Sequence, residues 1–590
     1  TINVSDGGSL GIGFSSGFGM NIDDTELGNI SKNGDLNLVN SDITFSSISS
    51  SLSSLGKLTI GQSGGTITGQ GALALSAAKG LDIFSSITSA GNLILEGDSN
   101  NSVDSDDSIS LASGVLLTSS AGSITLDATT GGISAAGATT LSATNGININ
   151  DNFTSAGATT IDADTDNDGT GTFTVASALS TGNNALSITA GNLALSGTLS
   201  SGTAGTTILA SLSGVTIGLG ASSCGGTCGI SLTTTELGNI TAGSLTIGDG
   251  SNGNITVEGV SSTDSDQFGL VTLNATASGS SVTFETTDSF FQGLTVNAAD
   301  GITISSNLTT NGTTSFNSDS NATGIGDFIL SSSLSTTNNA LSVTANGLVL
   351  TGTLSSGTAG TTILASQATS TIGLGASNCG GTCGISLTST ELASITAGSL
   401  IIGDGTNGNI TVEGVSSTDS DQFGALTLNA TASGSSFAFE TADSFFQGLT
   451  VNAADAINIS SNLTTLNLTL DGGTGGVSFG GNVTSSGNLS VISGGAITDT
   501  GVLTIAGTSS FTTDVANQTI TLDNTSNSFT GAVSLNTSGT TGNATLVSNS
   551  AVTLSTSTVG GNLDITVGGG NFLNVAGAGS AGGSISLLSD

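Results

Sequence analysis

The sequence predicts an all-β fold, a β-solenoid of short strands stacked coil upon coil. Three observations carry it: apolar residues alternating with Ser, Thr or Asn in short runs, a long tandem duplication, and the absence of proline from 590 residues that include 90 glycines.

The alternation is seen in Ile147-Asn148-Ile149-Asn150, Phe173-Thr174-Val175, Leu186-Ser187-Ile188-Thr189, Thr207-Ile208-Leu209, Val215-Thr216-Ile217 and Leu245-Thr246-Ile247. This is the period-two signature of a strand with one face buried. Gly-Asn, Ser-Gly and Gly-Thr turn material separates the runs. The tail keeps the beat, in Thr519–Leu522, Ala532–Leu535, Val552–Leu554 and Leu563–Val567. Two strands with their turns make a coil of about 22 residues, which is solenoid spacing. The chain then counts about 27 coils, and at about 4.8 Å per coil a rod of about 130 Å. A β-sandwich would need a fresh core about every hundred residues and fits this uniform texture less well.

Sliding the sequence on itself gives the duplication, at an offset of 155 residues (379 − 224). Asn252 to Gly269 recurs unchanged as Asn407 to Gly424, and Asp288 to Asp300 as Asp443 to Asp455. The organisation is therefore N-terminal coils in 1–138, one repeat copy in 139–293, a second in 294–448, and a partial third copy with further coils in 449–590, all expected to form one continuous solenoid. A narrow solenoid interior accepts stacked Leu, Ile, Val, Ala and an occasional Phe. Proline would remove a ladder hydrogen bond from a central strand.

Composition limits the function. Charged residues are 8% of the chain, against about 25% in ordinary soluble domains, so Ser, Thr, Asn and Gly must supply the polar surface. Disorder is disfavoured, because 36% of residues are apolar and occur in patterned runs. The 42 acids outnumber 3 bases, Lys32, Lys57 and Lys79, for a net charge of −39. Without Lys or Arg to neutralise phosphate, nucleic acid is excluded as a partner and an anionic membrane surface is disfavoured. No apolar stretch approaches the length of a membrane-spanning helix. The opening Thr1-Ile2-Asn3-Val4-Ser5 is neither an initiator Met nor a signal peptide, so a mature product or excised segment is expected. Gly582 to Leu588 still reads as strand with no helical cap, which leads us to expect that another copy, or more of the same chain, continues the ladder.

The segment Thr235 to Gly248 returns as Thr390 to Gly403, with a shorter version at Thr25-Glu26-Leu27-Gly28-Asn29-Ile30. Together with Gly-Asn-Leu-x-Leu coils and Ser528-Phe529-Thr530-Gly531-Ala532-Val533, it resembles the shaft of large bacterial exoproteins related to filamentous haemagglutinin. The resemblance implies a right-handed parallel β-helix, export across a Gram-negative outer membrane by a two-partner route, and a place at the cell surface in adhesion, biofilm or a fibre. Neither the secretion-recognition domain of that family nor an autotransporter barrel is evident.

Four cysteines stand in two identical pieces, Cys224-Gly-Gly-Thr-Cys228 and Cys379-Gly-Gly-Thr-Cys383. Close pairs suit local disulfides and an oxidising compartment, and the glycines permit the sharp turn. Zinc is the alternative, but it wants four ligands, there is no His, and the pairs lie far apart in the chain.

Asp162, Asp164, Asp166 and Asp168 alternate like the first half of a calcium loop, where side chains two apart converge on one hard cation. The later ligands of such a loop are not apparent, and the second copy reads Asp319, Asn321 and Thr323, so a solvated acidic turn is the competing expectation. Glu96, Asp98, Asp104, Asp106 and Asp107 have irregular spacing, as in a loop bulging from the rod. Phe290-Phe291 and Phe445-Phe446 are either a sticky patch for a partner or core fillers at a corner.

Catalysis is not expected. The chain has no Arg or His and no Lys after residue 79, so a serine or cysteine nucleophile lacks a base or cationic neighbour. No carboxylate pair stands out for glycoside hydrolysis. Thr is too scattered for an ice-binding array. The function these features favour is structural: a subunit of an extracellular filament, with itself as partner end to end. The second expectation is the shaft of an adhesin that meets glycans or neighbouring cells.

Overall fold

The computed structural model describes residues 9–589, except 15–16, 24–25, 27–33, 41, 47–48, 104–105, 223, 378 and 380–381. Thr1–Ser5, Lys32, Asp104 and the short motif copy at Thr25–Ile30, but for Glu26, thus lie outside the described residues. The chain divides into two units, Thr1–Asn297 and Ala298–Asp590. Each is a parallel β-solenoid, with 4% helix in the chain and about 25 turns of about 22 residues in total.

In the first unit one turn comprises Ile133–Ala135, Thr139–Ala143 and Ile147–Ile149, and the next Phe153–Ser155, Thr159–Asp162 and Thr172–Val175. Ile133 pairs with Phe153, Leu141 with Ile161 and Ile147 with Phe173, all in parallel. The second unit repeats the plan, with Val483 on Leu503, Val491 on Phe511 and Ile497 on Ile520.

A turn therefore has three strands where the spacing predicts two. The strand that the alternation hides is the short one at the corner. In Phe153–Ser155 only Phe153 is a large apolar residue, and the second inward position is a serine. Ser155 is buried, and its hydroxyl donates to the carbonyls of Gly137 and Gly157. Ser89, Ser119 and Ser485 do the same on Gly71, Gly91 and Leu466. A buried hydroxyl is tolerated because it is bonded, and it replaces an aliphatic group where the bend leaves little room.

The other inward positions form unbroken apolar columns, the first position of this corner strand among them. Leu58, Leu81, Ile109, Ile133, Phe153, Leu179 and Leu199 stack in register, each essentially inaccessible. In the second unit Val451, Leu470, Val491, Phe511 and Leu535 do likewise. Burying each such side chain is worth about 1.5–3 kcal/mol, and because turn follows turn the gain is repeated at every rung.

At the outer corners asparagines connect consecutive turns. Asn462 Oδ1 accepts the Asn482 N–H at 3.1 Å, and Asn482 Oδ1 accepts the Val502 N–H at 2.9 Å. Asn543 and Asn562 form the same relay to Ser584. A corner N–H points away from the ladder, and the carboxamide one turn earlier satisfies it.

The turn count is about 25 rather than about 27 because some turns carry insertions. Ile133 to Phe153 spans 20 residues (153 − 133), whereas Leu199 pairs with Ile240, 41 residues on (240 − 199).

Candidate functional site

The longest turns hold the cysteines. Thr216–Gly220 and Cys228–Leu232 are parallel neighbours, with Ile217 on Ile230 and Leu219 on Leu232, although only residues 221–227 join them. Adjacent parallel strands ordinarily need a crossover of about a dozen residues or more. Thr216–Gly220 pairs on its other edge with Ile255–Glu258, so the chain advances one rung, doubles back, and lays the later strand on the earlier side. Gly225 and Gly226 make this reversal in the left-handed region, with φ of 61° and 84°. The Cys224–Cys228 disulfide closes it, and Cys379–Cys383 closes the copy. Gly218 lies beneath the bridge, where a Cβ would stand 2.7 Å from Cys228 Sγ and 2.8 Å from Cys224 Sγ. The expected pairing is thus present, and two disulfides point to a non-cytoplasmic protein.

A short helix follows each reversal, Thr234–Gly238 in the first copy and Ser389–Ala393 in the second. Its capping box places Glu236 Oε2 2.9 Å from the Thr233 N–H, while Glu236 Oε1 accepts the Leu195 N–H at 3.1 Å. One carboxylate thereby caps the helix and seals the edge of the preceding rung. The Thr-x-x-Glu spacing is a sequence signature of this cap, and Thr233 with Glu236 and Thr388 with Glu391 carry it. In a second helical turn, Ser262–Ser265, Asp264 Oδ2 accepts the N–H of the N-cap Ser261 at 2.8 Å and its hydroxyl.

The phenylalanine pairs are split by their strands. Phe291 and Phe446 are 1% exposed and pack on Phe284 and Phe439, with ring centroids 6.5 and 6.3 Å apart. They are core fillers rather than a surface patch. Phe290 and Phe445 point the other way and are half-buried, and the carbonyl of Phe290 accepts the Ser265 hydroxyl.

The aspartate run closes the corner after strand Thr159–Asp162. Asp164 is fully buried. Its Oδ2 accepts the Gly169 N–H at 2.8 Å and the hydroxyl of Ser211. Its Oδ1 is buried with no hydrogen-bond partner. Carboxylate oxygens of Asp164, Asp166 and Asp168 all lie within 4.8 Å of one another, and Asp166 and Asp168 are exposed. Asp162 stands outside this group, accepting the Asp164 N–H at 3.3 Å. Partial desolvation and then the adjacent Asp164 and Asp168 hold Asp166 above its ordinary value. Hydrogen bonds from the Thr170 hydroxyl and N–H hold Asp168 below it. Burial pushes Asp162 up.

The second copy has the same loop with different chemistry. Asp319 is buried like Asp164, but Asn321, Thr323 and Gln367 stand where the first copy has Asp166, Asp168 and Leu212. Asp319 Oδ1 accepts the Thr323 N–H at 3.0 Å, and Oδ2 accepts the Gly324 N–H, the Ser366 hydroxyl and the Gln367 amide. Burial would raise Asp319, yet these hydrogen bonds outweigh it and hold the carboxyl below its ordinary value.

The irregular acidic patch does not bulge outward throughout. Asp98 and Asp107 are buried and share the Thr130 hydroxyl, at 2.8 and 2.9 Å.

A family described as repeats of unknown function (DUF5649) matches residues 465–536. No curated protein and no solved structure matches the chain. The match falls on regular turns of the second unit, including the Asn482 contact with Val502 and Asp499. Repeats and fold together describe a repetitive β-helical protein. Among the described residues, no helix is long and apolar enough to cross a membrane.

Proposed function

We propose that the chain is a structural element of an extracellular bacterial filament, with solenoids joined head to tail. The observation that carries this reading is the use of the side chains. Inward positions are spent on in-register columns, corner asparagines on stitching turns, and buried serines on backbone carbonyls. A parallel ladder is directional, so identical modules add by a heterologous, head-to-tail interface that generates fibres. The two 155-residue copies (379 − 224) already follow one another in the sequence. The disulfides favour an oxidising exterior, and 511 residues without Lys or Arg (80–590) leave trypsin-like proteases few sites. A net charge of −39 keeps such elements soluble and laterally apart.

Electron microscopy of the purified chain tests the proposal. Long unbranched fibres with an axial repeat near the length of one chain support it. Single, unassociated solenoids at every concentration overturn the filament and favour the second reading, the shaft of a secreted adhesin whose contacts with glycans or cells lie on other parts.

A further inference from the structure

We infer that Asp164, Asp166 and Asp168 form a binding site for one hard divalent cation, calcium by its all-oxygen donors, and that the chain carries this site in its first repeat copy only. It holds whether the solenoid serves a filament or an adhesin.

The argument begins with Asp164 Oδ1. A buried carboxylate oxygen without a donor is costly, and the Asp164 carboxylate that carries it clusters with two further carboxylates, with no positive side chain after Lys79 in the sequence. Protein donors satisfy only the other oxygen. Two oxygens on one calcium ion, each at about 2.4 Å, can be no more than about 4.8 Å apart. The three carboxylates meet that limit.

The second copy serves as an internal control. The same backbone loop holds the same buried aspartate, and both of its oxygens have protein donors: Oδ1 takes the Thr323 N–H at 3.0 Å and its hydroxyl at 3.4 Å, and Oδ2 takes Gly324, Ser366 and Gln367. Where the chain supplies neutral donors, it has lost two of the clustered carboxylates. Where it keeps the carboxylates, the buried oxygen has no protein donor. A cation supplies to Asp164 Oδ1 in the first copy what Thr323 supplies to Asp319 Oδ1 in the second. Bound there, it would fasten the 163–171 loop to the turn that carries Ser211.

Calorimetric titration of the full chain with calcium, after removal of metal by a chelator and at physiological salt, tests the site. One saturable equivalent is expected. Exchange to the second-copy residues, Asp166→Asn with Asp168→Thr and Leu212→Gln, should weaken it by about tenfold or more and leave the β-sheet circular dichroism unchanged, since the chain already folds with that set at Asp319. The reverse exchange, Asn321→Asp with Thr323→Asp and Gln367→Leu, should add a second equivalent. Calcium should also raise the thermal midpoint of the native chain and not that of the first variant. Calcium binding that is equal in the native chain and the first variant, or not saturable in either, overturns the proposal. So does a reverse variant that folds and gains no equivalent.

Discussion

Asn488 and Gly507 meet across one turn of the solenoid. Asn488 Oδ1 accepts the Thr508 N–H at 2.9 Å, and a Cβ on Gly507 would stand 2.5 Å from that oxygen. The same contact joins Asn92 to Gly122 and Asn562 to Gly583, at 2.3 and 2.2 Å. A corner asparagine thus requires glycine one turn later, which accounts for part of the glycine content without invoking flexibility. Removing the carboxamide in Asn488→Ala should cost about 1 kcal/mol, the net worth of one hydrogen bond. Gly507→Ala should cost more, about 1–3 kcal/mol, because the methyl group also meets the Gly487 carbonyl. Denaturant titration of the two variants checks the order.

The core phenylalanines give a larger effect with a built-in comparison. Phe291→Ala deletes a buried ring that touches Phe284, and about 3–5 kcal/mol is expected. Phe290→Ala, on the half-buried side of the same strand, should lose well under half of that. Thermal melts of the pair distinguish a core role from a surface role. Equal losses would show that the strand is packed on both faces.

The inner columns were legible because Leu, Ile, Val and Phe alternate visibly with small polar residues. The third strand was not where Ser155 or Ser485 takes its second inward position and removes the apolar signal. The rung reversal at Cys224–Cys228 is invisible for a different reason. Thr216–Gly220 and Cys228–Leu232 read as consecutive strands, and nothing in their residues says that the later one stacks earlier. The aspartate run was legible as a motif, but alternation alone grouped Asp162 with the others. Only burial and packing separate it from Asp164, and only the fold brings Ser211 to the same carboxylate.

Each disulfide closes the short loop of a reversal, so its removal should act locally. Loop-closure entropy for such a loop is about 2 kcal/mol. Reduction should leave the β-sheet circular dichroism intact while proteinase K gains cleavage sites within residues 221–227 and their copy. Thiol labelling should detect no free cysteine in the native chain and all four after reduction. Loss of sheet signal on reduction would instead make the reversals essential to the whole ladder.

Asn527 ties three groups together in the second unit. Fully buried, it donates to Asp499 Oδ2, and its Oδ1 accepts the Leu503 N–H at 2.8 Å. Asp499 Oδ1 in turn accepts the N–H groups of Asp523 and Asn524. Asn527→Ala strands both a buried carboxylate oxygen and a backbone N–H, for an expected loss of about 2–5 kcal/mol. Asn527→Asp should be no better, because a second carboxylate would face the first. Denaturation of the two variants checks this, and a neutral Asn527→Ala would mean that the corner relaxes to admit water.

Acid should stabilise this protein over a range where many proteins weaken. Burial pushes the carboxyls of Asp151, Asp162 and Asp499 above their ordinary value. The unfolded chain titrates such groups near about 3.9, so between that value and the raised ones the folded state holds more protons. Stability therefore falls as pH rises through this window and is greatest on its acid side. Asp319 has the opposite sign: held low by its hydrogen bonds, it stabilises above the unfolded value and loses that contribution only as pH falls through its folded one, beneath the window. No His is present to titrate between these values and neutrality. Partial neutralisation of the −39 charge relieves self-repulsion in the same direction. With chelator present, the thermal midpoint should be higher at about pH 5 than at about pH 7.5. Asp151→Asn, whose side-chain oxygen can still accept the Ala128 N–H, should reduce the difference, and a midpoint that climbs steadily with pH would contradict the assignment.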